Sequence, residues 1–183
     1  GSATWRPGSA ADAWSCPDCP IEDRTLAAMK ARARDPSRLD VEPFAKEAGS
    51  LEGQWPLREF RRLAESAHAD ARPGAADMVA WQVRGELRAM RGDAPQLWLH
   101  VAAQAILNLE CQRCLVPMEW PVRQRTVALL AKSEAEGDAL DAGSDEEVLV
   151  AAEPLDALAL VEDELLLSLP YAPTHADGEC AAP

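Results

Sequence analysis

Cysteine and histidine are the residues in this chain best suited to chemistry, and their spacing narrows what that chemistry is. Cys111 and Cys114 form a Cys-x2-Cys pair, and His175 and Cys180 form a His-x4-Cys pair some sixty residues later. Thiolates and neutral imidazoles are the usual ligands of zinc, and a closed structural site takes four of them in a tetrahedron. These four therefore constitute a Cys₃His candidate zinc set. The plainer alternative is a pair of small residues at a turn, with His175 and Cys180 in a tail. A second pair, Cys16 and Cys19, offers a Cys₄ ribbon with Cys111 and Cys114, although a chance pair explains it as well.

A redox enzyme built on Cys111 and Cys114 is the alternative function. It would need the pair at a helix N-terminus following a strand, where the helix dipole lowers a thiol pKa. Cys111 instead follows an extended run and leads, past Pro117, into another. The three histidines, His68, His100 and His175, come with no Gly-rich phosphate cradle and no nucleophile elbow. Glu162, Asp163 and Glu164 are consecutive; on a helix they point about 100° apart and do not converge on a magnesium ion. The residues give no sign of an enzyme or of a small-molecule substrate.

For a polyanionic partner the available cations are Arg84, Arg88 and Arg91 on one hairpin and Arg113, Arg123 and Arg125 around the cysteine pair. Arg123 and Arg125 share a face by the period of two, and Trp98 or Trp120 offers a surface for stacking. Solvent-facing arginines are the unremarkable alternative.

Charge is unevenly spread. The formal net charge is −13, yet the last basic residue is Lys132. Residues 133–183 hold 14 acidic groups and no Lys or Arg, whereas residues 1–132 hold 18 basic and 17 acidic groups. A near-neutral body with an acidic C-terminal third does not grip a phosphate backbone over its whole surface. It allows a local basic face, or an acidic segment that docks on a basic protein. No stretch has the roughly 18 uncharged apolar residues of a membrane span, and no secretory signal is visible. Five cysteines, an odd number, argue against a disulfide framework. The cytoplasm is the expected location.

The elements that must position these residues follow from periodicity. Residues 1–28 lack any period and read as a disordered or non-native leader ahead of Met29, leaving 29–183 as one domain. Leu57, Phe60, Leu63 and Ala67 predict a helix from Pro56 to Ala67. Alternation predicts strands around Val79–Leu87, Leu97–Leu109 and Trp120–Ala131, with a short one near Val148–Ala151; Arg91, Gly92 and Asp93 supply a turn. Lys132–Glu147 reads as a mobile acidic loop, and Asp156–Leu169 as a helix capped by Asp156 and ended by Pro170. The fold class expected is α+β: an antiparallel sheet, curled toward a partly closed barrel, with one or two helices packed on it.

Two segments carry a family resemblance. Leu107–Glu110 runs into Cys111-Gln112-Arg113-Cys114-Leu115, and Val161-Glu162-Asp163-Glu164-Leu165 leads into Leu169-Pro170-Tyr171-Ala172-Pro173-Thr174-His175, with Cys180 beyond. In this order they resemble the YceD family, the large ribosomal RNA subunit accumulation proteins. Phe44-Ala45 and the helix near Leu57 fit more weakly, and the resemblance extends over about Leu39–Cys180. It implies a cytoplasmic bacterial factor acting in the synthesis, processing or stability of large-subunit (23S) ribosomal RNA, with no established enzymatic activity. The expected partner is that RNA or a ribosomal protein, and no membrane. The family's usual tail, a Pro-Asn-Pro-Phe-like segment and basic residues, does not follow Pro183.

Overall fold

A computed structural model of the chain describes residues 34–90, 94–143, 146–151 and 154–180. The expected leader at 1–28, with Cys16 and Cys19, and the turn at Arg91–Asp93 lie outside them. Five strands form one sheet in the order β1-β2-β3-β4-β5: β1 (Ser50–Pro56), β2 (Met78–Arg88), β3 (Gln96–Glu110), β4 (Pro117–Ala131) and β5 (Glu147–Val150). The first four are antiparallel neighbours, and β5 lies parallel to β4.

The strict alternation along β3 explains most of this architecture. Leu97, Leu99, Val101, Ala103, Ala105, Leu107 and Leu109 are all buried and point to one face, where they join Val79, Trp81 and Val83 of β2 and Val122 of β4. A period of two puts every second side chain on the same side, so this apolar row must find a cover. The cover is helical: α1 (Val41–Lys46), α2 (Arg61–Glu65) and α4 (Ala157–Leu167) supply Phe44, Leu63, Val161 and Leu165, each at 4% exposure or less. Gly85 permits the approach of α1, because a Cβ there would lie 2.5 Å from the Cα of Ala45. Asp156 caps α4 through the amides of Leu158 and Ala159, as the sequence predicts.

Several expectations need correction. The sheet does not close into a barrel: β1 and β5 are its two edges, and helices rather than a second wall of strands fill the core. Nor is it wholly antiparallel, because residues 132–147 are not simply a loop. They contain α3 (Glu134–Asp141), N-capped by Ser133, which carries the chain over to a parallel β5. Glycine and acidic composition concealed a helix whose Gly137 is there for close packing, a Cβ lying 2.8 Å from a Val150 methyl. The helix expected at Pro56–Ala67 is broken into a 3₁₀ turn, Leu57–Glu59, and α2. Strand β1, irregular in its residue pattern, had no counterpart in the sequence reading.

Glu162 explains how so short an α2 is held. Its carboxylate is 8% exposed and accepts the amides of Arg62 at 2.7 Å and Leu63 at 3.2 Å, as well as the Arg62 guanidinium at 2.9 Å. A buried carboxylate is tolerable only when so paired, and removing it strands both amides at the α2 N-terminus. Glu162→Ala is therefore expected to lower the unfolding free energy by about 2 kcal/mol in urea titration.

Glu86, on the opposite sheet face, behaves differently. Hydrogen bonds from Arg88, opposed by burial and reinforced by His100, lower its pKa to about 2. A depressed carboxylate stabilises the fold fully above its unfolded pKa near 4.5 and loses that contribution as pH falls toward 2. The group is about a third exposed, so solvent screening reduces its worth to about 1 kcal/mol. Glu86→Gln should cost this much at pH 7, and chemical denaturation at falling pH should show the two proteins converging between pH 4.5 and about 2.

Candidate metal centre

Strands β3 and β4 form a hairpin whose connecting loop is Cys111 to Val116. The Cys111 amide donates to the Val116 carbonyl at 3.1 Å, and the Leu115 amide to the Cys111 carbonyl at 2.8 Å. Leu115 takes the left-handed conformation, φ 59°, to turn the chain back into β4. This is a costly conformation for a residue with a Cβ. His68 braces it: its Nδ1 accepts the Asp70 amide, so Nε2 carries the proton and donates to the Leu115 carbonyl at 3.1 Å.

The second half of the centre arrives from α4. Pro170 ends the helical run, and the chain crosses to the hairpin tip, where the Gln112 amide donates to the Pro173 carbonyl at 2.9 Å. The Arg113 guanidinium donates to the carbonyls of His175 and Ala176, and lies 3.5 Å from the Asp177 carboxylate. These contacts place His175 and Cys180 directly over the cysteine pair. The four donor atoms, Sγ of Cys111, Cys114 and Cys180 and a ring nitrogen of His175, all lie within 4.8 Å of one another. Cys111 Sγ is 3.8 Å from Cys180 Sγ, and His175 Nδ1 is 3.4 Å from Cys114 Sγ and 4.0 Å from Cys180 Sγ.

These separations can be compared with a tetrahedron. Zinc bonds of about 2.3 Å to sulfur and 2.0–2.1 Å to nitrogen imply edges of about 3.8 Å between sulfurs and about 3.6 Å between sulfur and nitrogen. The three separations given lie within about 0.4 Å of those edges and no pair exceeds 4.8 Å, so the residues fit a structural zinc ion. A disulfide, at about 2.05 Å between sulfurs, does not fit the 3.8 Å pair. Cys111 is fully buried, which by itself pushes its thiol pKa up. The amides of Cys114, His175 and Arg113, with the His175 ring, more than offset that and bring it down to about 5. Amides pointing at a sulfur stabilise the thiolate, which is the ligating form. Burial, followed by the neighbouring thiols of Cys111 and Cys114, holds Cys180 above its ordinary value.

The other sequence candidates divide. Arg113 belongs to the centre itself, whereas Arg123 and Arg125 lie side by side on the sheet face opposite α1, α2 and α4. Neither tryptophan proposed for stacking is on that face and open: Trp98 is 5% exposed beneath the Arg88 guanidinium, 4.2 Å from its ring, and Trp120 packs toward the core. The sequence reading missed the hairpin-tip scaffold of His68, Leu115 and Pro173. A non-glycine residue in the left-handed region leaves no trace in a hydropathy pattern. Among the described residues no helix is long and apolar enough to cross a membrane.

No solved structure matches the chain. Residues 99–183 match the family described as Large ribosomal RNA subunit accumulation protein YceD. The matched segment is shorter than the resemblance over Leu39–Cys180, and leaves out β1 and β2. It includes all four members of the Cys₃His cluster and most of the hairpin that carries two of them. Residues 99–183, which carry the whole cluster, are thus similar to the YceD family.

Proposed function

We propose that this chain promotes the accumulation of large-subunit (23S) ribosomal RNA in the cytoplasm as a non-catalytic binding factor, with a structural zinc ion fastening its C-terminal segment to the β3–β4 hairpin. The observation that carries this reading is the coincidence of the family match with the cluster: the segment shared with the large ribosomal RNA subunit accumulation proteins is the one that assembles Cys111, Cys114, His175 and Cys180.

Those four residues would hold the ion. Zinc in such a closed site supplies a cross-link rather than a reactive position, since all four coordination places are taken by the protein. The chain's own contribution is to pre-form the cradle. The amides around Cys111 favour its thiolate, and Arg113 fixes the carbonyls of His175 and Ala176. The thiol-enzyme alternative draws on the same lowered Cys111 pKa, but the pair sits in a loop between two strands rather than at a helix start.

Metal analysis of protein purified without chelator should find about one zinc per chain, and less than about 0.2 would remove the ion from this account. The joint change Cys111→Ser and Cys114→Ser should abolish zinc retention and make residues 170–180 sensitive to protease. In a bacterium lacking its own relative, the chain should restore the ratio of large- to small-subunit ribosomal RNA. Unchanged RNA ratios with soluble protein would reject the role. A binding factor with the two serines should keep partial activity in proportion to folded protein, whereas a thiol enzyme should lose all of it.

A further inference from the structure

We propose that the sheet face opposite α1, α2 and α4 is a docking surface for single-stranded RNA, held through its phosphates by Arg84, Arg123 and Arg125. The proposal deepens the binding role above by assigning it a surface and a ligand.

Register places the residues. Three cross-strand rows run over β1, β2, β3 and β4: Gln54, Ala80, Gln104 and Arg123; Glu52, Gln82, Ala102 and Arg125; Ser50, Arg84, His100 and Val127. All of these side chains project away from α1, α2 and α4, because their neighbours along each strand are the buried or half-buried residues that face those helices. Helix α3 covers this face only near the β4–β5 corner, where Gly137 meets Ala131, Val148 and Val150. The three rows remain exposed or half-buried.

Chemistry selects the ligand. In a chain of net charge −13, three cations fall within these rows and a single acid, Glu52, at the edge strand. Glu52 accepts the Gln82 amide at 3.1 Å. The nearest acid beyond the rows on β2, Glu86, is engaged by Arg88 and His100. Arg84 and Arg123 are exposed and enter no ion pair among the described residues.

The arginines flank a lane rather than crowd together. Arg84 stands on β2 and Arg123 and Arg125 on β4, while β3 between them presents the short Ala102 beside Gln104 and His100. Strands about 4.8 Å apart and same-face residues about 6.7 Å apart make the patch some 14 Å across and 13 Å along. Guanidinium groups and side-chain amides are the groups that contact phosphate and sugar, and they carry little sequence information there. The rows contain no Phe, Tyr or Trp, and the His100 ring is engaged by Glu86, so stacking is not the source of affinity. A flexible single strand can follow a lane of this width along β3, with cations on both sides.

The test is fluorescence anisotropy of a labelled 20-nucleotide single-stranded RNA of mixed sequence with the full chain, at several salt concentrations. Arg84→Glu with Arg123→Glu should weaken binding at least tenfold, whereas Arg61→Glu on α2, on the other side of the sheet, should stay within twofold. Neutralising the same pair with glutamine should flatten the slope of log K against log salt by about 1.4, about 0.7 per phosphate contact. Thermal midpoints matching the parent chain would show that the variants fold. Undiminished binding by the double variant, or equal affinity for the same sequence as a duplex, overturns the proposal. So does a chain that restores ribosomal RNA ratios yet binds no RNA at low salt, which leaves the accumulation role standing. RNA binding lost in the double variant, together with failure to restore the ratios, would leave the surface standing and remove that role.

Discussion

Alternation along β3 is the constraint on which everything else rests. Fifteen residues keep one parity apolar, so the sheet has one side that must be covered and one that need not be. The covered side recruits α1, α2 and α4, and therefore decides where α4 ends. The end of α4 in turn decides that residues 170–180 reach the hairpin tip. A slip of one residue between β3 and β4 would exchange the two faces and carry Cys111 and Cys114 away from His175 and Cys180. Core, cluster and arginine rows are thus three readings of one register.

The buried carboxylates of Glu162 and Glu164 each do a positional task. Glu162 ties α4 to the start of α2, and Glu164, 5% exposed, accepts the hydroxyl of Thr126 on β4. These links run outward from α4 to elements on both sides of it. Burial of such carboxylates is costly without partners, so each one found satisfied restricts the helix to a single seating. The hairpin tip is controlled in the same way by His68 beneath Leu115 and by Arg113 over His175.

How much of this was legible in the sequence depended on range. The three long strands and the α4 cap announce themselves locally, through parity and through Asp156 before an apolar run. The Cys₃His set was legible because ligand chemistry is specific to residue type, even across the long interval between its halves. Regions without a repeating pattern were not legible. Strand β1 alternates exposed and half-buried positions with Gly53 and Pro56 in it, so its pairing to β2 is a tertiary outcome. Helix α3 is acidic and contains a glycine, and its role depends on a contact with β5 that no local signal encodes. The arginine rows were half visible: parity joins Arg123 to Arg125, but only the register across β3 brings Arg84 to the same lane.

The interval between the two halves of the cluster bears on the unfolded chain as well. Cys114 and His175 are 61 residues apart along the backbone. A bond between them closes a loop that contains β4, α3, β5 and α4. Cross-linking a loop of that length removes about 4 kcal/mol of conformational freedom from the denatured ensemble, by the reckoning used for disulfides. A metal there would act less as a rivet in the finished structure than as a restriction on everything the last third of the chain could otherwise become.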